Sequence, residues 1–256
     1  MLFCHADCTN EIKMRIATWN LERPKPNGAV KNARQQSKIA EIQADLWILT
    51  ETNSAISLEG CHSLASESLP SYHSAGESFA TIWSRTPILN KISTFDPYFA
   101  VCAEIESPLG PMIVYGSIIT YANDRGLSGA SKRWEETRKS IDAHDLDWQN
   151  IRKEYPNHPM VVAGDFNQSL DGSGWYADAV STTKLSEALK RSNLVCETKE
   201  DMRKTGKLQT RATVDHICLS RNIAMNSTVV GAWEGTSDVL GRMSDHNGVY
   251  VDLEMG

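Results

Sequence analysis

The sequence predicts an α/β sandwich, with two packed β-sheets and a few helices laid outside them. Three observations carry that expectation. Short apolar runs of strand length recur along the whole chain, separated by Gly, Pro, Asn and Ser turns. Only a few stretches carry helical spacing instead. No low-complexity tract, Pro-rich linker, charge block or fixed-period repeat divides the 256 residues, so one domain over residues 14–256 is expected.

Taken in order, residues 1–13 read as a disordered extension, with Met14 the better natural start. Cys4, His5, Asp7 and Cys8 in that segment match no paired zinc spacing. Residues 15–21 and 46–50 are the first two expected strands, joined by a helix around residues 31–43. Further strands are expected over residues 79–84, 99–105 and 112–120. Residues 161–163 follow, where β-branched residues in an unbroken apolar run favour a buried strand. The last three expected strands span residues 212–219, 227–233 and 248–253. A long helix is expected over residues 131–154, because Trp134, Ile141, Trp148 and Ile151 recur at helical spacing with Lys, Arg and Glu between. A shorter helix is expected over residues 183–191.

Composition narrows the function. With 26 Lys and Arg against 32 Asp and Glu, the net charge is -6. No global positive field therefore draws the chain to nucleic acid or anionic membrane, and any phosphate must be gripped locally. The six cysteines are scattered, and Cys102 and Cys218 sit in apolar runs as reduced core thiols. The N-terminus lacks a basic region followed by an apolar one, and no run is long enough to span a membrane. A soluble, cytoplasmic monomer is expected.

Polar residues gather where apolar runs stop. Gly164-Asp165-Phe166-Asn167 ends one run, and the glycine permits a sharp exit. Asp165 and Asn167, two apart on an extended chain, would project from one face. A carboxylate there can position or deprotonate water, and an amide can hold an oxygen that gains charge. The same residue types also serve as plain turn formers. Four further run ends repeat the pattern, carrying Asn20 with Glu22, Glu51, Asp215, and Asp245 with His246. Asp215 lies inside an apolar run, where an ionised carboxylate is costly without a partner. Glu51 and Asp245, with Asn20 or Glu22 close by, are hard oxygen donors suited to magnesium or manganese.

In this order, Thr18-Trp19-Asn20, Thr50-Glu51, Gly164-Asp165-Phe166-Asn167, Val214-Asp215-His216 and Ser244-Asp245-His246 resemble the endonuclease/exonuclease/phosphatase superfamily, from Met14 to the C-terminus. The resemblance implies a four-layer α/β/β/α sandwich of two mixed β-sheets flanked by helices. It places the active site where strand ends from both sheets meet. By the same resemblance Glu51 is the principal metal ligand, with Asn20 and Asp245 near the metal. Asp165 would orient or deprotonate the attacking water, Asn167 would hold a phosphate oxygen, and His246 would stabilise the transition state. Asp215 would pair with His246, fixing its tautomer and favouring its charged form.

Tyr121 stands where exonuclease III and the abasic-site endonucleases have a tyrosine and other branches a histidine. There it would contact the phosphate or assist the leaving group. Thr50-Glu51-Thr52-Asn53 departs from the Gln-Glu-x-Lys of those enzymes, and Ala122-Asn123-Asp124-Arg125 from their Pro and Asn. A dedicated DNA-repair role is not expected. Substrate contacts are expected from loops. Asn123 and Arg125 can grip a phosphate, Trp175 on a flexible loop can stack a base, and the basic stretch 199–211, ending in Arg211, can track a phosphate backbone.

The expected activity is that of a magnesium- or manganese-dependent hydrolase of phosphodiester bonds in nucleic acid or nucleotides. The alternative is a phosphomonoesterase or small-molecule phosphodiesterase using the same residues, favoured by the acidic charge. A non-catalytic binding module is the third reading, and the complete residue set speaks against it.

Overall fold

The computed structural model describes residues 12–255. The first half of the chain forms β1 (Ile12–Asn20), α1 (Ala29–Ile42), β2 (Leu46–Asn53), β3 (His62–Ala65), β4 (Glu77–Ser84) and β5 (Ile88–Ile92). It continues with β6 (Ala100–Ile105), β7 (Met112–Ile118), α2 (Glu135–Glu154), β8 (Met160–Asp165), α3 (Ala179–Arg191) and β9 (Leu194–Cys196). The rest comprises β10 (Asp215–Ser220), α4 (Arg221–Ala224), β11 (Ser227–Trp233), β12 (Thr236–Ser237), β13 (Gly241–Arg242) and β14 (Gly248–Met255).

Two six-stranded sheets result, ordered β11-β14-β1-β2-β4-β3 and β5-β6-β7-β8-β10-β9, with β12 and β13 as a separate small ribbon. Each large sheet is mixed. Its parallel pair, β1 with β2 or β7 with β8, is joined by a helical crossover through α1 or α2. Ile16, Ile48 and Ile82 of one sheet pack between the sheets against Val114, Val161 and Ile217 of the other. On the outer faces, Trp19 and Trp47 pack with Ile39 of α1, while Tyr115 and Val162 pack with Trp148 of α2 and Leu185 of α3. Strands covered on both faces read as unbroken apolar runs, which is why the sequence exposes them. The two-sheet α/β sandwich stands as predicted.

Several boundaries differ. Ile12 and Lys13, expected in a disordered extension, already belong to β1 opposite Met255 and Glu254. The rest of that expected extension, with Cys4 and Cys8, lies outside the described residues. The long helix starts at Glu135, because Trp134 takes a left-handed conformation (φ 67°) that stops regular helix before it. The strand expected over residues 212–219 begins only at Asp215, where Thr213 turns its hydroxyl back to accept the Asp215 N–H at 3.0 Å. Strands β3 and β5, each mostly exposed, were not expected. Gly164 is a glycine on which the site depends. Its φ is +140°, and a Cβ there would sit 2.0 Å from the Ser117 carbonyl oxygen.

Candidate active site

Alternation along the strands builds the site. Inward residues on β1 run Met14, Ile16, Thr18, Asn20; on β8 they run Val161, Ala163, Asp165; on β10 Asp215 precedes Ile217 and Leu219. At one end the inter-sheet layer therefore turns from apolar to polar. Asp165 and Asp215 stand directly opposite each other on neighbouring strands, 2% and 0% exposed. Asn20 reaches across from the other sheet, and its Nδ2 donates to Asp165 Oδ2 at 3.0 Å.

Asn167 meets Asp165 differently from the expected extended arrangement. It adopts φ 49°, and the chain folds back so that its N–H donates to Asp165 Oδ1 at 2.8 Å. Its Nδ2 donates to Asp165 Oδ2 at 3.1 Å and to the Ile119 carbonyl at 3.0 Å. The motif is thus a turn that doubles as a cradle, and the two readings of its sequence coincide. His246 completes the cluster. Its Nδ1 lies 2.7 Å from Asp215 Oδ2, and its Nε2 lies 3.9 Å from Asp165 Oδ2. The other Asp215 oxygen, Oδ1, is buried without a hydrogen-bond partner.

These contacts set the charges. Burial pushes the Asp165 carboxyl up to about 7; His246 pulls it down, while Asp215 and Glu51 push it up. Burial alone would lower His246, but Asp215 and Asp165 overcome it and raise the imidazole to about 10. A group whose folded pKa is raised gives stability that is complete below its unfolded pKa and lost as pH rises through the folded one. For His246 that window runs from 6.5 to about 10, and for Asp165 from 3.8 to about 7. The metal-free protein is therefore expected to melt at progressively lower temperature between pH 6.5 and 10. His246→Ala should flatten that slope in calorimetry at several pH values.

The remaining expected residues divide. Glu51 sits at φ 46° with its carboxylate partly exposed, 3.5 Å from Arg23 Nε. Asp245 is exposed beside His246. Glu22 stands apart in role, because its carboxylate is ion-paired with Lys31 at 2.8 Å and with Arg242. Tyr121 is half-exposed, and Asn123 is exposed in the loop that follows it. Arg125 turns back on that loop, its Nη1 donating to the Ser131 carbonyl at 3.0 Å.

The basic stretch 199–211 is largely compensated rather than free. Lys207 pairs with Glu200, Arg203 and Lys204 with Asp201, and Arg203 also with Asp171. Arg211 instead lies over the Trp175 ring at 5.7 Å. Trp175 and Arg211 wall a cavity of about 250 Å³ that also contains Asn167, Asp215 and His246. Tyr176 and Asn247 line the same cavity; the sequence offers Tyr176 only as a second aromatic on the Trp175 loop, and Asn247 was missed. Asn247 directly follows Ser244-Asp245-His246, a signal that could have found it.

Residues 17–246 match the model of the Endonuclease/Exonuclease/phosphatase family. A search of curated proteins finds no match. Among solved structures, the chain is similar to the 3′ phosphatase NExo from Neisseria bound to product DNA hairpin. The two share 18% identity with a TM-score of 0.68, over 94% of this chain and 100% of that one. The human Nocturnin catalytic domain is 16% identical with a TM-score of 0.65, over 95% and 97% of the respective chains. An AP endonuclease from Archaeoglobus fulgidus is 14% identical with a TM-score of 0.65, over 93% and 98%. At these identities the structural likenesses establish the fold.

Proposed function

The chain belongs to the endonuclease/exonuclease/phosphatase family, and from that premise we propose that it hydrolyses phosphodiester bonds of nucleic acid or nucleotides with the aid of magnesium or manganese. One observation carries the reading. A buried carboxylate, Asp165, is oriented by two asparagines beside an imidazole that Asp215 keeps charged. Asp165 positions the attacking water and, being raised to about 7, accepts its proton near neutral pH. His246 offers its Nε2 side to a phosphate oxygen and compensates the charge that builds there. Asn167 has both amide hydrogens committed, so it shares in phosphate binding by yielding one of them. Tyr121, half-exposed, would assist the leaving group, the role its place in the family motif implies.

The donor set fits a hard divalent cation. Asp215 Oδ1 is buried and unpartnered, and Asp165 is destabilised as an anion first by burial and then by the neighbouring Asp215 and Glu51 carboxylates, a surplus that such a cation relieves. Asp165, Asp215 and His246 bring polar atoms within 4.8 Å of one another, and with the imidazole charged only the two carboxylates can face a cation. Glu51, with Asn20 and Asp245 near, would hold the ion, whereas Glu22 is taken up by its two cations. When bound, the metal supplies Lewis-acid polarisation of a phosphoryl oxygen.

Compensation of the basic stretch favours short substrates, and on that observation a phosphomonoesterase activity of the same site is the second reading. Both are tested by incubating purified protein with single-stranded DNA, RNA, abasic DNA, inositol phosphates and a simple diester. Oligonucleotide cleavage that stops with chelator and returns with magnesium or manganese is expected. Turnover of small monoesters alone would establish the second reading, and metal-independent turnover would contradict both.

A further inference from the structure

We propose that the cavity beside His246 is a subsite for one unpaired nucleobase, stacked on Trp175 and flanked by Arg211, which directs the protein to single-stranded nucleic acid over duplex. This rests on the hydrolase reading above and adds the substrate class. Trp175 is 43% exposed and lines a cavity together with Asp215 and His246. A large indole left in water at that place has apolar surface to cover.

The residue after the indole is anchored. The Ser169 N–H donates to the Tyr176 carbonyl at 2.9 Å, and the Tyr176 N–H returns to Ser169 Oγ at 3.2 Å. Tyr176 Oη accepts the Ala122 N–H at 3.2 Å, and its ring meets Trp134 edge-on at 5.4 Å. The segment expected to be a flexible loop is thus pinned on two sides. A backbone anchored beside the indole reduces the entropy lost when a ring lands on it.

Arg211 supplies the charge. Its neighbours Arg203, Lys204 and Lys207 are held in salt bridges by acids, whereas its guanidinium lies over the Trp175 ring and feels the Glu234 carboxylate only as a nearby charge, with no salt bridge among the described residues. Asn247 Nδ2 donates to the Arg211 carbonyl at 3.2 Å, tying the arginine to the residue after His246. Indole and guanidinium together recognise a flat π-face next to a phosphate. Inositol, sugar and glycerol phosphates have no such face. The volume of about 250 Å³ falls below the roughly 300–1,000 Å³ of drug-sized sites. It has room for one ring system.

The test compares a single-stranded oligonucleotide with the same strand lacking the base at the nucleotide beside the cleaved bond. Trp175→Ala should raise KM for the intact strand roughly 5- to 150-fold, the range that stacking of one base implies. Its loss on the base-free strand should be at least fivefold smaller, and wild type should prefer the single strand to its duplex. Equal losses on both strands, or equal cleavage of duplex, would overturn the proposal. A second measurement does not depend on catalysis. AMP should quench indole fluorescence in wild type more than in Trp175→Ala, while ribose 5-phosphate should quench neither. Quenching by AMP with no cleavage of any strand would sink the hydrolase reading and keep the subsite. Cleavage without Trp175-dependent quenching would do the reverse.

Discussion

Asp165→Asn is expected to lower single-turnover cleavage at least ~100-fold while leaving the melting temperature near that of wild type. The substitution keeps the shape and removes the proton acceptor. Asp165 Oδ1 takes one N–H, and Oδ2 takes amides from Asn20 and Asn167. An asparagine must therefore turn its own NH₂ toward one of these donors and lose about 1–3 kcal/mol. Against that, the buried negative charge disappears, and burial is the largest influence pushing this carboxyl up to about 7. The two effects oppose, so the fold survives and only the chemistry fails. A variant with wild-type turnover would remove Asp165 from the mechanism.

His246→Ala should cost a similar factor in turnover, at least ~100-fold, but with a different stability signature. Among the described residues the imidazole is the only hydrogen-bond partner of the Asp215 side chain, whose Oδ1 has none. Removing it strands a fully buried carboxylate, a loss of about 3 kcal/mol where no counter-charge remains. Activity and stability should fall together, unlike in Asp165→Asn. Paired rate and melting measurements separate the two variants. Equal melting temperatures for wild type and His246→Ala would show that Asp215 does not rely on the imidazole.

Much of this arrangement was legible because covered strands carry apolar runs on both faces. Val161, Val162 and Ala163 announce β8, and the abrupt change to Asp165 marks its functional end. The resemblance then joined five such ends into one site. What escaped has physical causes. Strands β3 and β5 lie at sheet edges and take their conformation from β4 and β6 rather than from their own exposed residues. The left-handed turn at Asn167 is fixed by its bonds to Asp165 and Ile119, so alternation misplaced its side chain. Glu22 is diverted by Arg242, 220 positions away. The acids that neutralise the basic stretch, Glu200, Asp201 and Asp171, are in plain view in the sequence. Only the fold shows which cations they take and that Arg211 turns to the Trp175 ring instead.

The central claim is that a water held by Asp165 attacks phosphorus in line, in one displacement, under the compensating charge of His246. The stereochemical course tests this most directly, with a chiral phosphorothioate diester cleaved in ¹⁸O-labelled water. A single in-line displacement predicts that the label enters the phosphorus product with inversion of configuration. Retention would reveal a covalent enzyme intermediate, and label in the alcohol would mean attack at carbon; either result contradicts the role assigned to Asp165.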